Sequence, residues 1–124
     1  MSMSIEKPAL LVHCRLGPYH SSLARSGIEF AMAAAVFDQE TALLFSGDGV
    51  WQLLKDQDPT QINAKNHAKL LSALPLYDVT QIYVDEQALA SRSLAAEDLA
   101  LDVAIINTQQ IQALLAASRQ VFNF

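Results

Sequence analysis

The chain has 124 residues, of which 52% are apolar and 17% are charged, and its formal net charge is −5; this length suits one domain, 1–124, with a single core. Its eight Lys and Arg residues are scattered, which argues against direct strong binding to nucleic acid, because such binding requires a basic face. The only cysteine, Cys14, excludes an intramolecular disulfide, and the lack of a long apolar stretch predicts a cytoplasmic protein without a membrane span.

The first predicted element is a strand over Ala9–Cys14, an apolar run that is typical of a strand buried on both faces. A Gly-Pro pair predicts a loop over Arg15–His20. Ser21 or Ser22 can cap the helix that follows, and the helical spacing of apolar residues extends to about Phe37.

This helix carries more apolar surface than one packing partner requires. One row follows the i, i+3, i+4, i+7 spacing of a buried face and contains Ala24, Gly27, Ile28, Ala31, Met32 and Ala35. A second apolar row lies beside it and contains Leu23, Phe30, Ala34 and Phe37. Together the rows span roughly 220° of the circumference, whereas a helix on one sheet needs roughly 100°. The surplus predicts a subunit interface, for which Phe30 and Phe37 are candidate residues.

The rest of the chain alternates strands with helices. Further strands are predicted at Thr41–Ser46, Gln81–Val84, Asp102–Ile106 and Gln120–Phe124. Further helices are predicted at Val50–Leu54, at about Thr60–Leu74 before Pro75, after Asp85-Glu86, and from Asn107 or Thr108 to about Ser118. This alternation predicts an α/β fold, a parallel sheet with helices on both faces.

In an open parallel sheet, ligands bind beyond the carboxyl ends of the strands, so Cys14–His20, Ser46–Trp51 and Val84–Gln87 form the candidate site. Gly47-Asp48-Gly49 is either an anion cradle of backbone amides or a tight strand-to-helix turn capped by its aspartate. It lacks the Lys and the spacing of a phosphate-binding loop, so we favour the turn. Trp51 is either a core anchor or an interface hot spot.

Cys14 has two interpretations. Its position at a strand end beside Arg15, with His20 within reach, can lower a thiol pKa; alternatively it is a small buried apolar residue, which is how free cysteines usually behave. His13 faces the opposite side of the strand and is a poor base for this thiol. His67 lies near the apolar side of its helix, which predicts a packed histidine. The three histidines lack metal-ligand spacing and there is no Gly-x-Ser-x-Gly elbow, so we expect no metal, no cofactor and no hydrolytic triad.

Two motifs carry a resemblance to a known family. Gly47-Asp48-Gly49-Val50-Trp51-Gln52-Leu53-Leu54 and Leu76-Tyr77-Asp78-Val79 resemble the DsrF/TusC branch of the DsrE/DsrF/DsrH superfamily. Weaker matches are the small-residue helix from Ser22 and the ending Val121-Phe122-Asn123-Phe124. The resemblance covers about the whole chain and implies a three-layer α/β/α sandwich on a five-stranded parallel sheet.

The resemblance also implies a function. Members assemble with DsrE/TusD-type and DsrH/TusB-type paralogues into a heterohexamer, a dimer of heterotrimers, that passes persulfide sulfur between carrier proteins. In the Tus branch the sulfur serves 2-thiouridine in tRNA wobble positions, and in the Dsr branch it belongs to sulfur oxidation. The sulfur-accepting cysteine of the DsrE/TusD type follows the third strand, where this chain has Tyr83-Val84-Asp85-Glu86 and no thiol.

Three hypotheses therefore remain. The first is a non-catalytic subunit of a sulfur-relay complex, serving tRNA thiolation or, alternatively, sulfur oxidation. The second is a sulfur carrier that uses Cys14, although this residue does not fall on the family's thiol position. The third is a stand-alone homo-oligomer that binds a small anion at the strand ends.

Overall fold

The computed structural model describes residues 8–17, 22–55 and 62–124. Five strands form one sheet: β1 (Leu10–Cys14), β2 (Thr41–Phe45), β3 (Gln81–Asp85), β4 (Ala104–Ile106) and β5 (Gln120–Asn123). Their spatial order is β4-β3-β2-β1-β5, and every pair is parallel. The parallel sheet that the alternation of elements predicts is therefore confirmed.

In the described ranges four α-helices accompany the sheet: α1 (Leu23–Val36), α2 (Ile62–Ser72), α3 (Glu86–Ser91) and α4 (Thr108–Ala117). The same ranges contain three 3-10 helices between them, at Gly47–Leu53, Leu74–Tyr77 and Ala96–Asp98. Within the described ranges no helix combines the length and the apolarity that a membrane crossing requires.

The two faces of the sheet are covered unequally. On one face, alternate residues of the strands pack against α1, α2, α3 and the 3-10 helix Gly47–Leu53. On the other face, a smaller core that includes Leu11, Leu44 and Tyr83 packs against Leu114 of α4. All five residues of β2 are buried, because a central strand between two covered faces has no route to solvent. This arrangement is the three-layer sandwich that the family resemblance implies.

Helix α1 leaves part of its apolar surface uncovered. Ala24, Gly27, Ile28 and Ala31 of the first row are buried. In the second row, Phe30 packs on Phe122 of β5 and on Phe124 directly after it, with ring centroids 4.8 and 5.8 Å apart. Leu23 and Phe37 are 50% and 78% exposed. The prediction of surplus apolar surface is therefore confirmed, and this surface lies at the two ends of the second row.

One of the predicted helix caps is wrong, and for a second cap one of the two candidate residues makes no capping bond. Ser22 precedes α1 but makes no side-chain cap hydrogen bond, because its backbone already has helical angles (φ −68°, ψ −10°); Ser21 lies outside the described residues. Asp48 does not cap the helix after β2 either: the helix is a 3-10 helix that begins at Gly47, so Ser46 holds the N-cap position and Asp48 lies in the first turn.

Other boundaries also differ from the predictions. The described part of α2 ends at Ser72, and Leu74 belongs to the separate 3-10 helix that contains Pro75. Strand β4 begins at Ala104 rather than Asp102, because this edge strand pairs only with β3, over three residues. The helices after Asp85 and Asn107 are confirmed: both side chains accept a backbone N–H of the following first turn.

A candidate functional site at the carboxyl edge of the sheet

The carboxyl ends of β1, β2, β3 and β5 meet at one edge, since the strands are parallel. Backbone hydrogen bonds continue the sheet beyond the strands: the Ser46 N–H donates to the Cys14 carbonyl over 3.0 Å, and the Arg15 N–H donates to the Phe124 carbonyl over 2.8 Å. These bonds bring the segments after β1 and β2 together, as the sequence predicts.

The glycines after β2 allow the chain to turn against β1. Gly47 has φ +52°, in the left-handed region that favours glycine. A Cβ atom on Gly49 would lie 2.1 Å from the carbonyl oxygen of Cys14, which no side chain can occupy. The Gly49 N–H donates to the Ser46 carbonyl over 2.9 Å and closes the turn. The turn geometry therefore accounts for both glycines.

Asp48 connects this turn to α3. Its Oδ1 lies 2.8 Å from Nη2 of Arg92, and Nη1 of Arg92 donates to the Ala88 carbonyl over 3.1 Å. The pair joins two segments 44 residues apart in the chain. Sequence reasoning did not identify Arg92, and no local spacing could have revealed it.

A histidine and a serine meet on the opposite side of the same edge. Nε2 of His13 lies 2.6 Å from Oγ of Ser46. Burial lowers the pKa of His13 and the nearby Arg15 charge lowers it further, while a hydrogen bond with Asn123 and the charge of Asp85 oppose the shift. The imidazole is therefore mostly neutral at pH 7. Sequence reasoning missed this pair, although residue parity on neighbouring parallel strands places both side chains on one face.

The Cys14 thiol lies on the other face of β1 and is fully buried. Burial raises its pKa to about 12. The exit of β3 carries no thiol: Val84 is buried, and Asp85 accepts the Gln87 N–H over 3.0 Å as the cap of α3. Because Cys14 is the only cysteine of the sequence, the carboxyl edge presents no accessible sulfur nucleophile.

The segment after Trp51 is fixed by a buried polar chain. Trp51 itself is half-buried, while Gln52 is buried and its Nε2 donates to the Leu16 carbonyl over 2.8 Å. Oε1 of Gln52 lies 2.7 Å from Nε2 of His67. His67 is buried, as predicted, and its pKa is lowered by burial and by the Arg25 charge. These hydrogen bonds link the segment after β1, the 3-10 helix Gly47–Leu53 and α2.

Several residues singled out in the sequence lie elsewhere. Tyr77 and Asp78 precede β3, and Phe37 precedes β2, so all three lie at the amino edge of the sheet. Tyr77 and Phe37 are exposed, and Asp78 ends its 3-10 helix in a left-handed conformation (φ 63°). His20 lies outside the described residues. The carboxyl edge therefore gathers the Gly-Asp-Gly segment and Trp51 but not the second motif.

Comparison with known proteins identifies similar sequences. The model of the DsrE/DsrF-like family matches residues 9–124. A "Protein TusC homolog" from Vibrio vulnificus is 36% identical over 110 residues, which cover 89% of this chain and 93% of that protein. One from Pseudomonas aeruginosa is 35% identical over 113 residues, covering 91% and 95%. The "Protein TusC" of Buchnera aphidicola is 31% identical over 108 residues, covering 86% and 91%.

Solved structures share the fold. The ychN protein of E. coli matches with a TM-score of 0.76 at 18% identity, over 94% of this chain and 99% of that one. A protein of unknown function from Methanobacterium thermoautotrophicum matches with a TM-score of 0.68 at 12% identity, over 93% and 97%. At these identities the likeness establishes the α/β architecture alone.

Proposed function

Because the chain belongs to the DsrE/DsrF-like family, and within it to the DsrF/TusC branch, we propose that it is a non-catalytic subunit of a sulfur-relay complex. One observation carries this proposal: the carboxyl edge presents no accessible thiol, since Cys14 is buried and the exit of β3 has none. The subunit then acts by contact with partners that hold the reactive cysteine.

Sulfur transfer requires a thiolate. The acceptor thiolate attacks the outer sulfur of a donor persulfide, the S–S bond of the donor breaks, and the donor cysteine leaves as a thiolate. With a pKa of about 12, Cys14 is almost entirely a neutral thiol at pH 7. Burial also denies a carrier protein access to Cys14. We therefore assign Cys14 to packing rather than to sulfur transfer.

The exposed apolar surface of α1 supports a role in assembly. Leu23, Val36 and Phe37 are each at least half exposed, which is unusual for large apolar side chains on a helix unless a partner covers them. The partners we propose are the DsrE/TusD-type and DsrH/TusB-type paralogues, in a cytoplasmic heterohexamer. Among the alternatives for the end product, we propose 2-thiouridine at tRNA wobble positions, because the curated relatives at 31–36% identity carry TusC names.

A reconstituted complex tests the catalytic assignment. The chain is purified with its two paralogues, and transfer of sulfur from a persulfide donor to the next carrier is followed by mass spectrometry. Cys14→Ala in this chain should leave the transfer rate within about twofold, whereas alanine at the cysteine of the DsrE/TusD-type partner should abolish transfer. A persulfide on Cys14, or loss of transfer in a folded Cys14→Ala complex, would contradict the proposal.

The destination of the sulfur is tested in cells. Deletion of this chain should lower 2-thiouridine in total tRNA, as measured by liquid chromatography with mass spectrometry, and the Cys14→Ala chain should restore it. Unchanged 2-thiouridine together with impaired growth on reduced sulfur compounds would instead assign the complex to sulfur oxidation.

A further inference from the structure

The amino edge of the sheet carries a recess that the proposed function does not use. It has a volume of about 240 Å³ and lies between the turn from α1 to β2 and the turn from the 3-10 helix Leu74–Tyr77 to β3. Three carboxylates are among its lining residues, which are Ala35, Asp38, Gln39, Glu40, Thr41, Asp78 and Gln81. No described Lys or Arg lines it, so the recess has a negative potential.

Large apolar side chains stand beside this recess. Phe37 directly precedes the lining residue Asp38, and Leu76 and Tyr77 directly precede Asp78. Phe37 is 78% exposed and Leu76 is 84% exposed. Both aspartates have left-handed backbones, with φ of 61° and 63°. The ends of two helices, α1 and the 3-10 helix Leu74–Tyr77, thus each present an apolar side chain followed by a carboxylate at one shared recess.

The charge of the lining residues indicates what the recess can bind. Three of them are carboxylates, and no Lys or Arg among the described lining residues neutralises them. Carboxylates accept their strongest hydrogen bonds from charged donors. The recess therefore favours one type of group, a cation with several N–H donors.

We propose that this surface, formed by Phe37, Leu76, Tyr77 and the acidic recess, is a docking site for a protein segment that carries an arginine or lysine beside apolar side chains. The guanidinium of an arginine has five donors that suit carboxylates, and its aliphatic stem packs on apolar neighbours. A second copy of this chain is disfavoured as the occupant, because each copy has a net charge of −5.

This inference rests on the proposed function in one respect: the segment belongs to a paralogous subunit of the same complex. The three-subunit complex provides the test. Asp38→Asn together with Asp78→Asn removes two charges, and asparagine tolerates the left-handed backbone at both positions. We expect assembly to weaken by about tenfold or more at low salt and to become less sensitive to salt. The matched control Asp102→Asn removes an exposed carboxylate outside the recess and should assemble like the wild type.

Crosslinking identifies the occupant. Leu76 is replaced by p-benzoylphenylalanine, and in a control Gln112, exposed on α4, is replaced in the same way. We expect Leu76→p-benzoylphenylalanine to crosslink to a paralogous subunit within a few residues of an Arg or Lys, and the control to give no crosslink there.

The outcomes separate the two proposals. Wild-type assembly with unchanged affinity of the double variant would overturn the docking site and leave the proposed function intact. A crosslink to a second copy of this chain, or to a segment without Arg or Lys, would also overturn it. If the wild-type chain forms no complex with either paralogue, the proposed function and the docking site are overturned together.

Discussion

At the scale of single residues, Gly49 is the glycine at which the fold least tolerates an added side chain. Its Cα approaches the β1 backbone so closely that an added Cβ would lie 2.1 Å from the Cys14 carbonyl oxygen. That oxygen belongs to the backbone of a central strand and cannot move away without breaking the bond it accepts from Ser46. The requirement for glycine here comes from packing against β1, whereas at Gly47 it comes from the left-handed backbone.

Gly49→Ala should therefore lower the free energy of unfolding by roughly 2–4 kcal/mol, because the turn must shift away from β1 to admit the methyl group. Urea unfolding followed by circular dichroism measures the change. Gly17→Ala is the matched control, since among the described residues beyond its chain neighbours the nearest atom to its added Cβ is the Asp48 carbonyl oxygen at 3.7 Å, an ordinary contact distance. A loss in Gly49→Ala no larger than in Gly17→Ala would contradict the packing argument.

Residue chemistry allowed some of these features to be predicted and not others. The packed state of His67 follows from its place on the apolar side of a helix, and the alternation of side chains along β1 places His13 and Cys14 on opposite faces. The partners of these residues could not be predicted. Gln52 and His67 are 15 residues apart, and Asp48 and Arg92 are 44 apart, so only the folded chain brings each pair together.

At the scale of elements, the helix caps show where local sequence suffices. Asn107 and Gln110 form a reciprocal capping box at the start of α4, and Asp85 caps α3. The sequence predicted that helices begin at these positions, because the bonds that fix them span only two or three residues. Ser22 and Asp48 carry suitable side chains but fail as caps. Whether such a side chain caps a helix depends on where the helix begins and on the backbone angles there, and the residue type does not fix either.

The link between α2 and the 3-10 helix Gly47–Leu53 predicts a dependence of stability on pH. Burial lowers the pKa of His67 below 6.5, its value in the unfolded chain. The unfolded state therefore binds a proton more readily than the folded state. The stability contributed by neutral His67 is fully present above pH 6.5 and is lost as the pH falls through the lowered pKa. The lowered pKa of His13 acts in the same direction.

We therefore expect the wild-type midpoint of urea unfolding to fall between pH 7.5 and about 5, and to fall less in His67→Gln, which keeps a side chain able to hydrogen-bond to Gln52. Comparing the two proteins removes the contribution of His13, because both retain it. An equal pH dependence in the two proteins would show that His67 does not titrate differently in the folded and unfolded states.

At the scale of the whole molecule, the alternation of strands and helices was enough to predict a parallel sheet with helices on both faces. The position of β5 beside β1 was not predicted, because it depends on pairing between the two ends of the chain. The amino-edge recess was not predicted either, since Asp38 and Asp78 meet only after β2 and β3 have paired. Composition did predict uncovered apolar surface, and α1 presents it at Leu23 and Phe37.

The second apolar row of α1 begins at Leu23, at the far end of the helix from the recess. Leu23→Gln should weaken assembly with the two paralogues by roughly tenfold, because the apolar surface that a partner would bury is replaced by a polar amide that is costly to bury. The isolated chain should keep its melting temperature, since half of the Leu23 side chain is already exposed to solvent. Ser26→Gln, on the exposed polar side of the same helix, is the control and should assemble normally. Sedimentation velocity on the mixed subunits gives both affinities. Equal affinities for Leu23→Gln and the wild type would show that this end of α1 faces solvent in the complex. Its exposed apolar surface would then not serve assembly.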